Sequence, residues 1–273
     1  MINLLLSIIC SALIGNLLFL YQKDKHLEIL QVFLGNYFLA SIFSFAANNT
    51  PISSIRLYDV IFGVITGFLF LTNFVVYQKN IKVNGLSLSI GVMRISLIIP
   101  TLMAIFFFCE KIIFLNYLGI GIILFSFAFQ TEIRSLHNFI WIAVLFVLTG
   151  FTDGLLKIYN VHGLQQDGAF VFFLFFSAFV FNLIWIAVQR RRFVIKYFFF
   201  GMILGIPNQL TTRFFLNSLE TVKAAIAYPL FASSVVLITV LCDLLIWKKK
   251  YNLKQRFAFA LLILGIVFLN IQQ

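Results

Sequence analysis

Few side chains in this 273-residue sequence can do chemistry, and most of those that can stand inside apolar stretches. Arg94 is the clearest of them. With Ser87, Gly91 and Thr101 it follows helical spacing and forms one small or polar stripe on an otherwise oily helix. A guanidinium stays charged and offers a planar fork suited to a carboxylate or phosphate. Inside an apolar span that charge needs a partner, either a bound solute or an acid on another helix. Asp153 and Lys157 stand one helical turn apart in Gly150-Phe-Thr-Asp-Gly-Leu-Leu-Lys157, a spacing at which acid and base pair along a helix. Asp153 is also the candidate for carrying a proton. Asn73, Asn208 and Gln209 are amides in apolar surroundings, which need either partners or a wet cavity. Tyr228 shares a helix face with Ala232 and Thr239, and Asp243 follows one turn later near a lysine-rich boundary. Pro100, Pro207 and Pro229 each remove a backbone donor and mark expected kinks.

These residues do not resemble a catalytic set. His26, His137 and His162 all fall in loops, no HExxH or phosphate-binding glycine loop is present, and the three cysteines have no metal-ligand spacing. The expectation is a protein with no enzymatic activity, no cofactor and no metal.

The elements that must position these side chains follow from composition. The chain is 62% hydrophobic and only 11% charged, with a mean hydropathy of +1.04. Ten apolar stretches of roughly bilayer length can be drawn: 2–21, 29–47, 60–77, 86–108, 112–129, 139–158, 169–188, 197–215, 224–247 and 257–271. None shows the alternation of a membrane barrel, so the expected fold class is an all-α membrane protein with ten transmembrane helices. The net charge of +11 is spread over short loops, which points to lipid headgroups and topology and not to nucleic acid. Loops after odd-numbered stretches hold fourteen Lys and Arg residues and the other face five, which places both termini outside.

The sequence also repeats itself. Gly63-Val-Ile-Thr-Gly67 recurs as Gly201-Met-Ile-Leu-Gly205, Tyr21 as Tyr159 and Ser96 as Ser234, each at an offset of 138. Two five-helix repeats, 1–135 and 136–273, are therefore expected. Five is odd, so the second copy enters the bilayer inverted. Inverted repeats are the architecture of secondary transporters, with a site between the halves and alternating access around it. The expected site is lined by Asn73, Arg94, Asp153, Asn208, Gln209 and Tyr228. Arg94, Lys157 and Arg213 outnumber Asp153 and Asp243, so an anionic or zwitterionic solute such as an amino acid, organic acid or sugar acid would complete the balance. Proton coupling through Asp153 is part of this expectation. The alternatives are a flippase for a lipid-linked headgroup and, behind it, a membrane-embedded enzyme. The expected partners are a small-molecule substrate and membrane lipids. The chain is expected to be a monomer in the cytoplasmic (inner) membrane of a bacterium.

Three segments then carry a family resemblance. Arg94-Ile-Ser-Leu-Ile-Ile-Pro100, Phe107-Phe-Cys-Glu110 and Asn116-Tyr-Leu-Gly119 resemble the fourth-helix proline, the glycine–glutamate turn and the fifth-helix glycine of the drug/metabolite transporter superfamily in its ten-helix EamA-type form. Cys109 stands where that family has glycine, and Trp247-Lys248-Lys249 stands where the second copy would have glutamate. The resemblance spans the whole chain. It implies a solute transporter of two repeats with both termini in the cytoplasm, opposite to the charge count.

Overall fold

The structure, a computed structural model, describes residues 1–21, 24, 26–47, 55–131, 138–163, 167–190 and 192–271. Among these residues the chain is all helix, with no strand: α1 (Ile2–Tyr21), α2 (Ile29–Ala46), α3 (Leu57–Asn84), α4 (Leu86–Ile95), α5 (Ile98–Phe106), α6 (Phe114–Gln130), α7 (Phe139–His162), α8 (Asp167–Val188), α9 (Ile195–Leu219), α10 (Ala224–Leu245) and α11 (Leu253–Asn270). Eight helices, with Leu86–Phe106 counted as one, are long and apolar enough to cross a membrane, which marks an integral multi-pass membrane protein. Ten spans were expected. Of the two others, α6 has only 17 residues, and α9 carries the run Asn208, Gln209, Thr211, Thr212 and Arg213 that lowers its apolar character.

Helix ends depart from the apolar stretches where backbone hydrogen bonding outlasts hydrophobicity. α3 continues past Lys79 and Lys82 to Asn84, and Gly85, at φ +88°, turns the chain into α4. Such a backbone is open to glycine at little cost. Asn252 caps α11 by accepting from the Gln255 N–H at 2.8 Å, and the Gln255 side chain returns the bond to the Asn252 N–H.

Helix starts recur along the chain. α2 opens at Ile29 and α8 at Asp167, α3 at Leu57 and α9 at Ile195, α4 at Leu86 and α10 at Ala224, each 138 residues apart. The junction of the two sequence halves at 135/136 lies outside the described residues.

In space the chain divides into two compact units that do not coincide with the sequence halves. One comprises Met1, Asn73–Lys157 and Ser218–Gln273, the other Ile2–Thr72 and Ile158–Asn217. In the first unit Val76, Leu88, Val92 and Leu145 form a buried cluster. There α6 and α11 pack antiparallel. The Asn116 amide donates to the Phe268 and Leu269 carbonyls at 3.1 and 3.2 Å, and at the far end the Ser126 hydroxyl donates to Ala258 O at 2.8 Å. Asn116 thus satisfies carbonyls that the end of α11 leaves open.

In the second unit α2 and α8 also run antiparallel. The Asn182 amide donates to Leu30 O at 3.0 Å, whereas Phe45 meets Phe172 with ring centroids 5.5 Å apart. The glycine repeats explain how closely this unit packs. Gly63 lies against the backbone of Phe170 and Leu174 on α8, and Gly201 against that of Val32 and Asn36 on α2. Gly67 lies against Leu174, Ser177 and Ala178, and Gly205 against Asn36, Leu39 and Ala40. The backbone contacts of one pair map onto the other at the 138-residue offset, and the one side-chain contact that does not, Phe173 Cβ beside Gly63, corresponds to Gly35, which has no Cβ. Small residues let helix backbones touch, and in lipid that close packing holds helices together.

Candidate functional site

Arg94 occupies the last turn of α4, where the membrane helix Leu86–Phe106 is interrupted at Ser96–Leu97. The interruption has a local cause. Pro100 has no N–H, so the Ser96 carbonyl loses its ordinary donor four residues on. It accepts instead from the Ile99 N–H at 2.9 Å, a tighter three-residue turn. The Ser96 hydroxyl donates to Met93 O at 2.7 Å. Gly150 of α7 makes room here, since a Cβ at that position would stand 2.7 Å from the Ser96 oxygen. A kink was expected at Pro100. The structure has a break there, whereas Pro207 and Pro229 sit inside continuous α9 and α10.

The Arg94 guanidinium lies over the Phe127 ring at 5.7 Å, with the phenols of Tyr77 and Tyr251 within electrostatic reach. Among the described residues it has no hydrogen-bonded or ion-paired acceptor. A guanidinium stacked on a ring keeps its N–H edge available for an anion. Tyr251 donates to Asp243 at 2.6 Å, and Lys249 closes on the other Asp243 oxygen at 2.8 Å. Burial, reinforced by that hydrogen bond, pushes the Tyr251 phenol up from its ordinary value. Asp243 therefore has the boundary salt bridge expected from its lysine-rich surroundings.

A second cluster runs along α7. The Thr149 hydroxyl donates to Asn73 Oδ1 at 2.8 Å, and one turn later the Tyr228 hydroxyl donates to the Asp153 backbone carbonyl at 2.7 Å. The Asp153 carboxylate itself has no hydrogen-bond or ion-pair partner among the described residues. Lys157 does not pair with it, contrary to the one-turn spacing. Its ammonium is 2.9 Å from Glu110 and 5.5 Å from the Phe108 ring. The other Glu110 oxygen accepts from the Ala225 N–H at the start of α10, also at 2.9 Å. Tertiary packing brings a stronger partner than the local one.

Asn73, Arg94, Asp153 and Tyr228 thus belong to the first unit. Asn208 and Gln209 belong to the second. There Asn208 donates to Asn36 Oδ1 at 3.2 Å, so its amide serves the same α2–α9 contact as Gly201 and Gly205. Gln209 is 1% exposed, and its Oε1 has no hydrogen-bond partner among the described residues. Arg213 donates to the Ala47 carbonyl at 3.4 Å.

No protein-family model matches the chain, and no curated protein does. Solved structures do match it, among them one crystal structure. That structure is 10% identical, covers 98% of this chain and 96% of its own, and superposes with a TM-score of 0.82. At that identity the match shows a shared fold and nothing about a solute.

Five residues have roles that the sequence reading did not assign. Glu110 stood out only through the family resemblance, because a charge in a turn ordinarily faces water. Tyr77, Phe127 and Tyr251 were lost among many aromatics. Asp59 falls just before the third apolar stretch as drawn, yet it is wholly buried in the second unit, where Tyr159 donates to it at 2.8 Å. The recurrence of Tyr21 as Tyr159 pointed at one partner and gave no hint of the other.

Proposed function

We propose that this chain is a secondary transporter that moves a small anionic or zwitterionic metabolite by alternating access, with its two five-helix repeats inverted in the membrane. The observation that carries the proposal is Arg94, a guanidinium with no hydrogen-bonded or ion-paired acceptor among the described residues, on the last turn of an interrupted membrane helix. Interrupted helices are where transporters place solutes, because irregular backbone at membrane depth is tolerated where it lines a cavity. Supporting the inverted arrangement are the antiparallel α2–α8 and α6–α11 pairs, each made of elements that correspond between the sequence halves. In this proposal Arg94 takes the solute's anionic group, Asp153 carries the coupling proton, and Asn73 and Tyr228 hold α3 and α10 against α7. The chain performs no covalent chemistry.

The test uses purified protein in liposomes and a panel of radiolabelled amino, organic and sugar acids. Wild type should show saturable uptake of at least one of them. Arg94→Gln should abolish that uptake with an unchanged melting temperature. Normal uptake by Arg94→Gln would make Arg94 structural and remove the anionic-solute proposal.

A further inference from the structure

Glu110 uses both carboxylate oxygens. One holds Lys157 on α7, the other the first turn of α10, both at 2.9 Å. The side chains of Lys157 and Glu110 are 8% and 12% exposed, so the pair is mostly shielded from water. Lys157 has a second acid in reach by helical geometry, since Asp153 stands one turn before it. The structure resolves this competition in favour of Glu110. Near Asp153, Tyr228 from α10 holds its backbone carbonyl, and Lys157 one turn on is taken by Glu110 of the α5–α6 turn. α5 contributes the thioether of Met103 against Gly154.

We propose that Glu110 is a positioning residue that draws Lys157 away from Asp153 and so leaves the Asp153 carboxylate open to a proton or to the solute. The inference rests on the transporter proposal for its consequence, but the partner choice stands on the geometry alone. Without Glu110, Lys157 turns to Asp153 and closes it. Glu110 acts through Lys157 and does not touch the solute.

The test is a set of melting temperatures of the purified protein at pH 7. Asp153→Asn, Lys157→Gln and their double variant are compared in the wild-type background and again with Glu110→Gln, which keeps an acceptor for the Ala225 N–H. With Glu110 present, the Asp153 and Lys157 effects should add. With Glu110→Gln they should become non-additive by about 2 °C or more, the size of a newly formed partly buried pair. Additivity in both backgrounds would overturn the proposal. So would non-additivity already present in wild type, which needs no Glu110 variant to be seen. A purely structural ion pair would leave the Asp153–Lys157 coupling unchanged. Failure of wild type to transport any acid would defeat the transporter proposal and leave this one standing.

Discussion

Tyr37 on α2 and Phe175 on α8 occupy corresponding positions 138 residues apart, and their rings face each other with centroids 6.4 Å apart. A residue that meets its counterpart in the other sequence half is the contact that the proposed inverted repeats require at their axis. The glycines on either side obey the same relation, with Gly63 and Gly201 each seated on the other copy's second helix. Reciprocal contact of this kind fits the proposed two-fold relation between the sequence halves.

The glycine contacts set the first prediction. A Cβ at Gly201 would run into the Val32 carbonyl, whereas at Gly121 nothing lies within 4 Å. Gly201→Ala should destabilise the protein by roughly 1–3 kcal/mol through overpacking. Gly121→Ala should stabilise α6 by up to about 1 kcal/mol through helix propensity. Thermal unfolding in detergent separates the two.

Cys109 gives a second. It is exposed and sits at φ +52°, a left-handed conformation that costs a side-chain-bearing residue about 1–2 kcal/mol. Cys109→Gly should therefore raise the melting temperature. An unchanged value would mean that the strain is relieved elsewhere.

The helix break gives a third. Pro100→Ala restores the donor that Ser96 O lacks and lets α4 run on into α5. Stability should rise and uptake should fall, because Arg94 would then lie mid-helix. Uptake equal to wild type would show that transport does not need the break.

A fourth concerns pH. The Lys196 ammonium 2.7 Å from Asp24, helped by the His26 N–H, holds the Asp24 carboxyl below its ordinary value of 3.8. The sign follows from linkage. A depressed acid contributes stability above its unfolded pKa and loses it as pH falls through the folded one. Wild type should lose melting temperature relative to Asp24→Asn as pH drops below 3.8, and 1 M salt should shrink the difference because the pair is open to water.

Much of this was legible in the sequence. Apolar length and glycine spacing located the helices, since in lipid a helix must satisfy its own backbone and glycines mark where backbones touch. The Arg94 stripe was visible for the same reason, because a charge stands out in an apolar span. Partner choice was not legible. Asp153–Lys157 was the local solution, and only packing of the α5–α6 turn against α7 brings Glu110 to Lys157. Asn208 read as a cavity amide but faces Asn36, because spacing defines a helix face without saying what covers it. The two spatial units were hidden as well, since each draws segments from both halves of the chain.

The turn that follows α5 returns after α10. Glu110 N–H bonds to Ala104 O at 3.0 Å and Lys249 N–H to Asp243 O at 2.9 Å, each just past a left-handed residue, Cys109 and Lys248. One backbone shape thus holds a glutamate at the end of α10 where that helix begins and a lysine at the end where it stops. Two copies of one scaffold would make a device with no front or back. Opposite charges set on the same bend tell the two ends of α10 apart, and each is answered by its own partner, Glu110 by Lys157 and Lys249 by Asp243.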